Sequence, residues 1–274
     1  MTETQFATGL AEIFLSLWRN RSLAFQMVVR DVVGRYRGSL AGLLWSLFNP
    51  VLMLLVYTFV FSVVFKMRWG GASGGRLDFA VMVFSGMIVH SLFSECINRA
   101  PTIVLGSPNL VKKVIFPLEV LPWVTLGSAL FHTLVNFAVL LVFVFIAQQS
   151  ISWTALLFPL VLAPFALFTL GTCWILASVG VYLRDIGQVT GLLTMVLLFL
   201  SPVFFPLSAL PPLYQKLFHL NPLSFVIEQG REVLVWGRLP AWSEFGLYAL
   251  FALLFAWLGL WWFQRTRRGF ADVI

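Results

Sequence analysis

Gly106–Lys113 reads GSPNLVKK, the stretch of this chain nearest in spacing to a phosphate-cradling loop of the form G-x-x-x-x-G-K-[ST]. Val111 stands where the second glycine belongs, and Lys113 where the hydroxyl residue belongs. A side chain at Val111 keeps the backbone from wrapping closely around phosphate, and without the hydroxyl no side chain reaches Mg²⁺. The chain is therefore expected to bind no nucleotide or other cofactor itself. If ATP drives it, ATP and Mg²⁺ belong to another subunit.

Glu95, His90 and His132 are the only obvious groups for a proton or sodium relay, which needs several carboxylates or histidines at membrane depth. Glu95 has Arg99 four residues on, so a local ion pair is the simpler reading. His90 and His132 stand isolated and read as hydrogen-bonded packing histidines. A gradient-driven transporter remains the alternative. Catalysis has less support: H-E-x-x-H and G-x-S-x-G are absent, no aspartate pair occurs in the apolar runs, and Cys96 and Cys173 form no CxxC.

Three charged patches carry more information. The first holds Arg30, Asp31, Arg35 and Arg37; the second runs from Asn109 through Lys112, Lys113 and Phe116 to Pro117; the third is Tyr182–Gly187 with Arg184 and Asp185. Each is short and joined directly to an apolar run, which suits a rigid element that takes force from a docked partner. Ordinary positive loops would explain the charges but not the apolar residues beside them. Trp45, Phe48, Tyr57, Phe205 and Tyr214 offer a second chemistry, because aromatic faces stack on the apolar faces of sugars. Each one alone reads equally as an interfacial anchor or lipid-facing filler. Gly34, Gly38 and Gly42, like Gly187 and Gly191, are spaced four apart, a pattern that lets helices approach closely within a chain or between copies.

The elements that position these residues follow from composition. Hydrophobic residues make up 60% of the chain and charged ones 11%, with a mean hydropathy of +0.93. An ordinary soluble domain carries about a quarter charged residues, so this excess must face lipid. Six apolar runs approach the ~20 residues a membrane crossing needs: Leu43–Phe65, Phe79–Ile97, Val120–Ala147, Leu156–Tyr182, Val189–Phe205 and Phe245–Phe263. With both termini cytoplasmic, 12 Lys and Arg fall inside and 6 outside, the latter being Lys66, Arg68, Arg76, Lys216, Arg231 and Arg238. The net charge of +7 is thus a topology signal and a contact to anionic lipid or a cytosolic partner, and no nucleic-acid partner is expected. Met1–Leu23 lacks the pattern of a cleaved signal peptide.

Ser22–Gly38 has apolar residues at helical spacing, Ser22 as a candidate N-cap and Gly38 as a stop, and is expected to be an amphipathic interface helix. Ser208–Glu244 is too polar to cross and too apolar for a free loop; Pro211, Pro212 and Asn221-Pro222 divide it into two short helices that re-enter the outer leaflet. The expected fold is an all-α polytopic membrane protein with six transmembrane helices, an N-terminal interface helix, and outer re-entrant helices between the fifth and sixth spans. Residues 1–38 form the cytoplasmic segment and interface helix, and 39–274 the transmembrane domain.

RDVVGRYRGSLAGLLWSLFNPVLMLLVYTFVFSVVF, NLVKKVIFPLEVLP and the run from YLRDIGQVTG to FVIEQGRE resemble the permease subunits of ABC-2 type polysaccharide exporters, a group that includes those for lipid-linked O-antigen and teichoic acid. The resemblance spans about Met27 to Arg238. It implies a bacterial cytoplasmic (inner) membrane protein acting as two copies with two ATP-binding cassette subunits, which bind the ATP and Mg²⁺. It implies a canal for a lipid-linked polysaccharide along the dimer axis, and coupling through the interface helix and Asn109–Pro117. Exporters of small molecules or drugs with the same fold are the near alternative.

Overall fold

The computed structural model describes residues 9–64, 76–112 and 116–274. Among these the regular structure is entirely helical: α1 (Glu12–Arg19), α2 (Arg21–Tyr36), α3 (Leu44–Tyr57), α4 (Arg76–Arg99), α5 (Pro108–Val111), α6 (Val120–Gln148), α7 (Phe158–Tyr182), α8 (Ile186–Phe199), α9 (Pro212–His219), α10 (Pro222–Leu234), α11 (Trp242–Thr266) and α12 (Phe270–Val273). Four stretches are long and apolar enough to cross a membrane: Phe79–Thr102, Val120–Gln148, Trp153–Tyr182 and Trp242–Val273. They coincide with the second, third, fourth and sixth runs of the sequence. The first and fifth runs form shorter apolar helices, Leu44–Val60 and Ile186–Phe199.

α4 is the centre of the fold. It packs against α6, α7, α8, α10 and the π-helical continuation of α3 over Thr58–Val64. Val81, Met82, Val83, Val89, Cys96 and Ile97 along it are wholly buried. α6 and α11 instead turn most of their surface outward while remaining apolar all round, as lipid-facing helices must be.

α7 and α11 make the most extensive helix pair, and two glycines allow it. A Cβ on Gly259 would lie 2.3 Å from the carbonyl oxygen of Gly171, so the two backbones touch where they cross. Higher on α7, a Cβ on Gly180 would lie 2.2 Å from the carbonyl oxygen of Pro101, in the 3-10 turn Ala100–Thr102 that ends the α4 column. The glycines singled out by fourfold spacing behave differently. Gly34, Gly38, Gly42, Gly187 and Gly191 have open space where a Cβ would stand, and Gly38 and Gly42, at φ +84° and +51°, turn the chain from α2 into α3. Those glycines bring no helices together within this chain.

α8 has 14 residues, about 21 Å at 1.5 Å per residue, against a hydrocarbon core of about 30 Å. The expected span Val189–Phe205 therefore ends as a helix at Phe199, and Leu200–Pro206 continues in turns with Ser201 and Val203 buried. α9 and α10 follow, each opened by a proline at its start, where the missing N–H costs nothing. Asn221 caps α10, its side chain accepting from the backbone N–H of Leu223.

At the N-terminus α1 precedes the expected helix, with Ile13 and Ser16 buried. α2 runs one residue earlier than expected, and its N-cap is Asn20 rather than Ser22. Its apolar residues do not form one stripe. Ala24 is buried beside Val120 and Val124 of α6, and Val32 is buried too, whereas Phe25, Val29 and Val33 are exposed.

Candidate functional site

Two polar clusters fasten the membrane helices near the expected cytoplasmic side. In the first, Arg35 on α2 donates from Nη2 to Oε1 of Glu95 on α4 at 2.6 Å, and Nδ1 of His132 on α6 lies 3.0 Å from Oε2 of the same carboxylate. A carboxylate only accepts, so Nδ1 carries a proton, and Nε2 lies 3.2 Å from the Tyr36 hydroxyl. One turn below, Arg99 on α4 donates to Oδ1 of Asp31 at 2.7 Å. Burial pushes the Asp31 carboxyl up, but the hydrogen bond and charge of Arg99, with the charge of Arg35, outweigh it and hold the group below its ordinary value. α2 is thus tied to the central helix by two ion pairs.

Beside these pairs α2, the loop Thr102–Ser107 and the start of α6 enclose a cleft of about 610 Å³, lined by Arg30, Asp31, Gly34, Arg35 and Arg99 among others. Asn109 and Lys112 are exposed on and just after α5, while Phe116 and Pro117 are half-buried. Lys113 lies outside the described residues, as do Lys66 and Arg68. Arg30, Arg37, Arg184 and Asp185 are exposed, and Asp185 is the N-cap of α8.

The second cluster surrounds Arg267, just past α11. Its guanidinium donates to Oε2 of Glu119 and to the carbonyl of Phe116, each at 2.6 Å. Glu119 in turn accepts, at its backbone carbonyl, from the indole N–H of the fully buried Trp174 at 3.1 Å.

On the opposite side Arg231 of α10 is 2% exposed. It donates from Nε and Nη2 to the carbonyl of Met82 at 3.2 and 3.1 Å, from Nη2 to the carbonyl of Val203 at 2.9 Å, and from Nη1 to Glu228 at 3.0 Å. α4, the turn after α8, and α10 meet on this one side chain. Asn221 adds a second tie, donating to the carbonyl of Leu200 and to Ser201, both at 2.9 Å.

The five aromatics do not form one group within a single chain. Trp45 and Phe48 stack edge to face at 5.3 Å on the outward surface of α3, and Tyr57 is half-buried further along it. Phe205 packs on Phe218 at 5.6 Å, and Tyr214 is exposed on α9.

Sequence spacing missed three of the working groups. His132 is in contact with Glu95 and Tyr36, not isolated, whereas His90 bonds the Thr194 carbonyl of α8 at 2.9 Å, as the packing histidine expected there would. Arg231 is a buried structural cation and not a free outer-loop charge. Arg267 read only as a positive-inside residue. The Glu95 and Arg99 pair is present but long, at 3.8 Å, because each group has a closer partner on α2. Among the described residues no cluster of His, Cys, Asp and Glu could hold a metal ion.

Comparison with known proteins places this geometry. The ABC-2 type transporter family matches residues 22–235. The O-antigen export system permease protein RfbA of Myxococcus xanthus is 28% identical over 260 residues, covering 94% of this chain and 97% of that protein. A protein of the same name from Klebsiella pneumoniae is 23% identical, covering 89% and 92%. The polysialic acid transport protein KpsM of Escherichia coli is 27% identical, covering 86% and 89%.

Proposed function

The chain belongs to the ABC-2 type transporter family, and from that premise we propose that it is the membrane-spanning permease subunit of an ATP-driven exporter of a cell-surface polysaccharide, lipid-linked during transport. The observation that carries the reading is the end-to-end match, over 94% of the chain, to a protein named as an O-antigen export permease. A polysialic acid transport protein matches over a similar region, so a sugar polymer is common to both relatives.

In this reading the protein sits in a bacterial inner membrane with both termini cytoplasmic, and residues 39–274 form the transmembrane domain behind the N-terminal segment 1–38. α3 and α8 supply the first and fifth of six spans, and α9 and α10 re-enter the outer leaflet. Two copies work with two ATP-binding cassette subunits, which hold the ATP and Mg²⁺; this chain holds neither. The exposed Arg30, Arg35, Arg37, Asn109, Lys112, Arg184 and Asp185, with Asp31, Lys113, Phe116 and Pro117, make up the docking and coupling face. The outward, apolar surfaces of α3 and α8, which both pack on α4 and leave Trp45, Phe48, Leu192, Val196 and Phe199 uncovered, support a canal or second-copy surface on that side.

A long hydrophilic polymer needs many weak, sequence-tolerant contacts, because one tight site would stall it. Trp45, Phe48, Tyr57, Phe205 and Tyr214 supply such contacts without burying charge in lipid. The test replaces each by alanine and by leucine and measures polymer export beside protein abundance. Reduced export at normal abundance, with leucine no better than alanine, is expected at the canal-facing positions. Normal export in all ten variants would make these rings lipid-facing filler.

A further inference from the structure

We propose that Arg267, beyond the last span, is a positioning residue for export, fixing the exit of the coupling segment Asn109–Pro117 against the α7–α11 pair. The proposal rests on the reading that this segment docks the ATP-binding subunit.

The chain is held on both sides of Arg267. The preceding residue, Thr266, accepts at its carbonyl from the Tyr182 hydroxyl at 2.9 Å, and its own hydroxyl lies 2.6 Å from that of Ser178. After Arg267 the chain turns back, and Phe270, 0% exposed, packs edge to face on Phe263 at 5.5 Å. A guanidinium anchored in this way reaches Phe116 and Glu119 with two short bonds, its side chain 11% exposed and that of Glu119 13%.

That geometry joins two patches that are 65 residues apart in sequence. Phe116 lies at the end of the second patch and Glu119 just beyond it, and Tyr182 begins the third, shortly before Arg184, Asp185 and α8. In this proposal a displacement at Phe116 is carried by the guanidinium into the ends of α7 and α11, and past Tyr182 towards α8. A planar fork with two fixed acceptors suits this task, whereas a lysine ammonium at the same place serves one of them well and the other poorly.

The experiment uses the permease assembled with its ATP-binding subunit in membrane vesicles, and reads membrane abundance, subunit association, ATP hydrolysis and polymer exported. Arg267→Gln is expected to keep abundance and association and to leave ATP hydrolysis little changed, while polymer exported per ATP falls about tenfold, within the usual range of coupling energies. Arg267→Lys should lie between the two, and Glu119→Gln should move the ratio in the same direction. A normal export ratio in Arg267→Gln overturns the proposal. Loss of membrane abundance in both Arg267→Gln and Arg267→Lys would make Arg267 a folding residue and overturn it equally. If the wild type neither associates with an ATP-binding subunit nor exports, the function reading falls and this proposal with it, an outcome visible in the wild-type arm alone.

Discussion

Arg231 donates twice to the carbonyl oxygen of Met82, at 3.2 Å from Nε and 3.1 Å from Nη2, although the two residues lie 149 positions apart. Met82 is within α4, so its carbonyl is already inside a helical ladder and takes the guanidinium as an additional donor. Replacing Arg231 by leucine removes these bonds together with those to Val203 and Glu228, and leaves the Glu228 carboxylate without its nearby cation. A hydrogen bond to a charged group contributes about 1.5–3 kcal/mol, whereas Glu228, its side chain 37% exposed, is left partly hydrated. Unfolding of the purified protein in detergent should show a loss of that order for Arg231→Leu, and a much smaller one for Arg238→Leu, whose side chain is 71% exposed. Equal losses at the two positions would contradict the stitching role.

Arg35 and Glu95 should be energetically coupled across α2 and α4. Charge-assisted bonds at 2.6 Å are strong, but the Arg35 side chain is 39% exposed and water screens the pair. A double-mutant cycle with Arg35→Gln and Glu95→Gln is expected to give a coupling of about 1 kcal/mol, near the low end for contacting residues. A cycle between Arg35→Gln and the more distant Lys216→Gln should give none.

Acid should loosen the interface helix. Because the Asp31 carboxyl is held below its ordinary value, near 3.8, its contribution to stability is complete above about pH 4 and is lost as pH falls through the lowered value. Hydrogen exchange of α2 amides between pH 7 and 3, corrected for intrinsic rates, should show protection falling only at the acid end. In Asp31→Asn that acid step should shrink, with lower protection already at pH 7.

Gly180→Ala and Gly259→Ala should both destabilise the helix core. Each added methyl would stand within 2.3 Å of a backbone oxygen, which cannot move aside as a side chain can. Overpacking of this kind typically costs about 1–3 kcal/mol. Gly187→Ala and Gly191→Ala, which face open space, should insert and unfold like the wild type. The thermal unfolding of the four variants side by side decides the point.

Topology is open to direct labelling. Single cysteines at Lys112 and Lys216 are expected to differ in intact cells, with an impermeant reagent reaching the second and not the first. The reverse pattern would invert the assignment of the docking face.

Much of this fold was legible because lipid demands a simple signal. The run Val120–Ala147 contains no charge, and the helix found there, Val120–Gln148, agrees to within one residue. The two short helices within Ser208–Glu244 were legible from Pro212 and Asn221-Pro222, since a proline with no N–H belongs at a helix start. The apolar run Val189–Phe205 extends beyond the helix it forms, which ends at Phe199. Hydropathy does not distinguish Leu200, Val203 and Phe204 in turns from the same residues in a helix, and the carbonyls that leave the ladder there are answered by Asn221 and Arg231 from distant sequence. The same limit hid the ion-pair network. Glu95 and Arg99 sit one turn apart and look like partners, but α2 brings Arg35 and Asp31 closer to them than they are to each other. Small-residue spacing was indecisive in one way and silent in another: no atom of this chain stands near where a Cβ on Gly34, Gly38 or Gly42 would, while Gly171 and Gly259, 88 positions apart, carry the crossing of α7 and α11.

The shortness of α8 has a consequence for the surrounding bilayer. With α8 as the fifth span, its helical column is about 9 Å shorter than the ~30 Å hydrocarbon core, and the bilayer bordering that part of the assembly must thin to match it. Hydrophobic mismatch of this kind costs a fraction of a kcal/mol per Å. Lipids with shorter acyl chains should therefore relieve a strain that longer ones increase, and the protein's activity in reconstituted vesicles should track acyl-chain length even where headgroup and charge are unchanged.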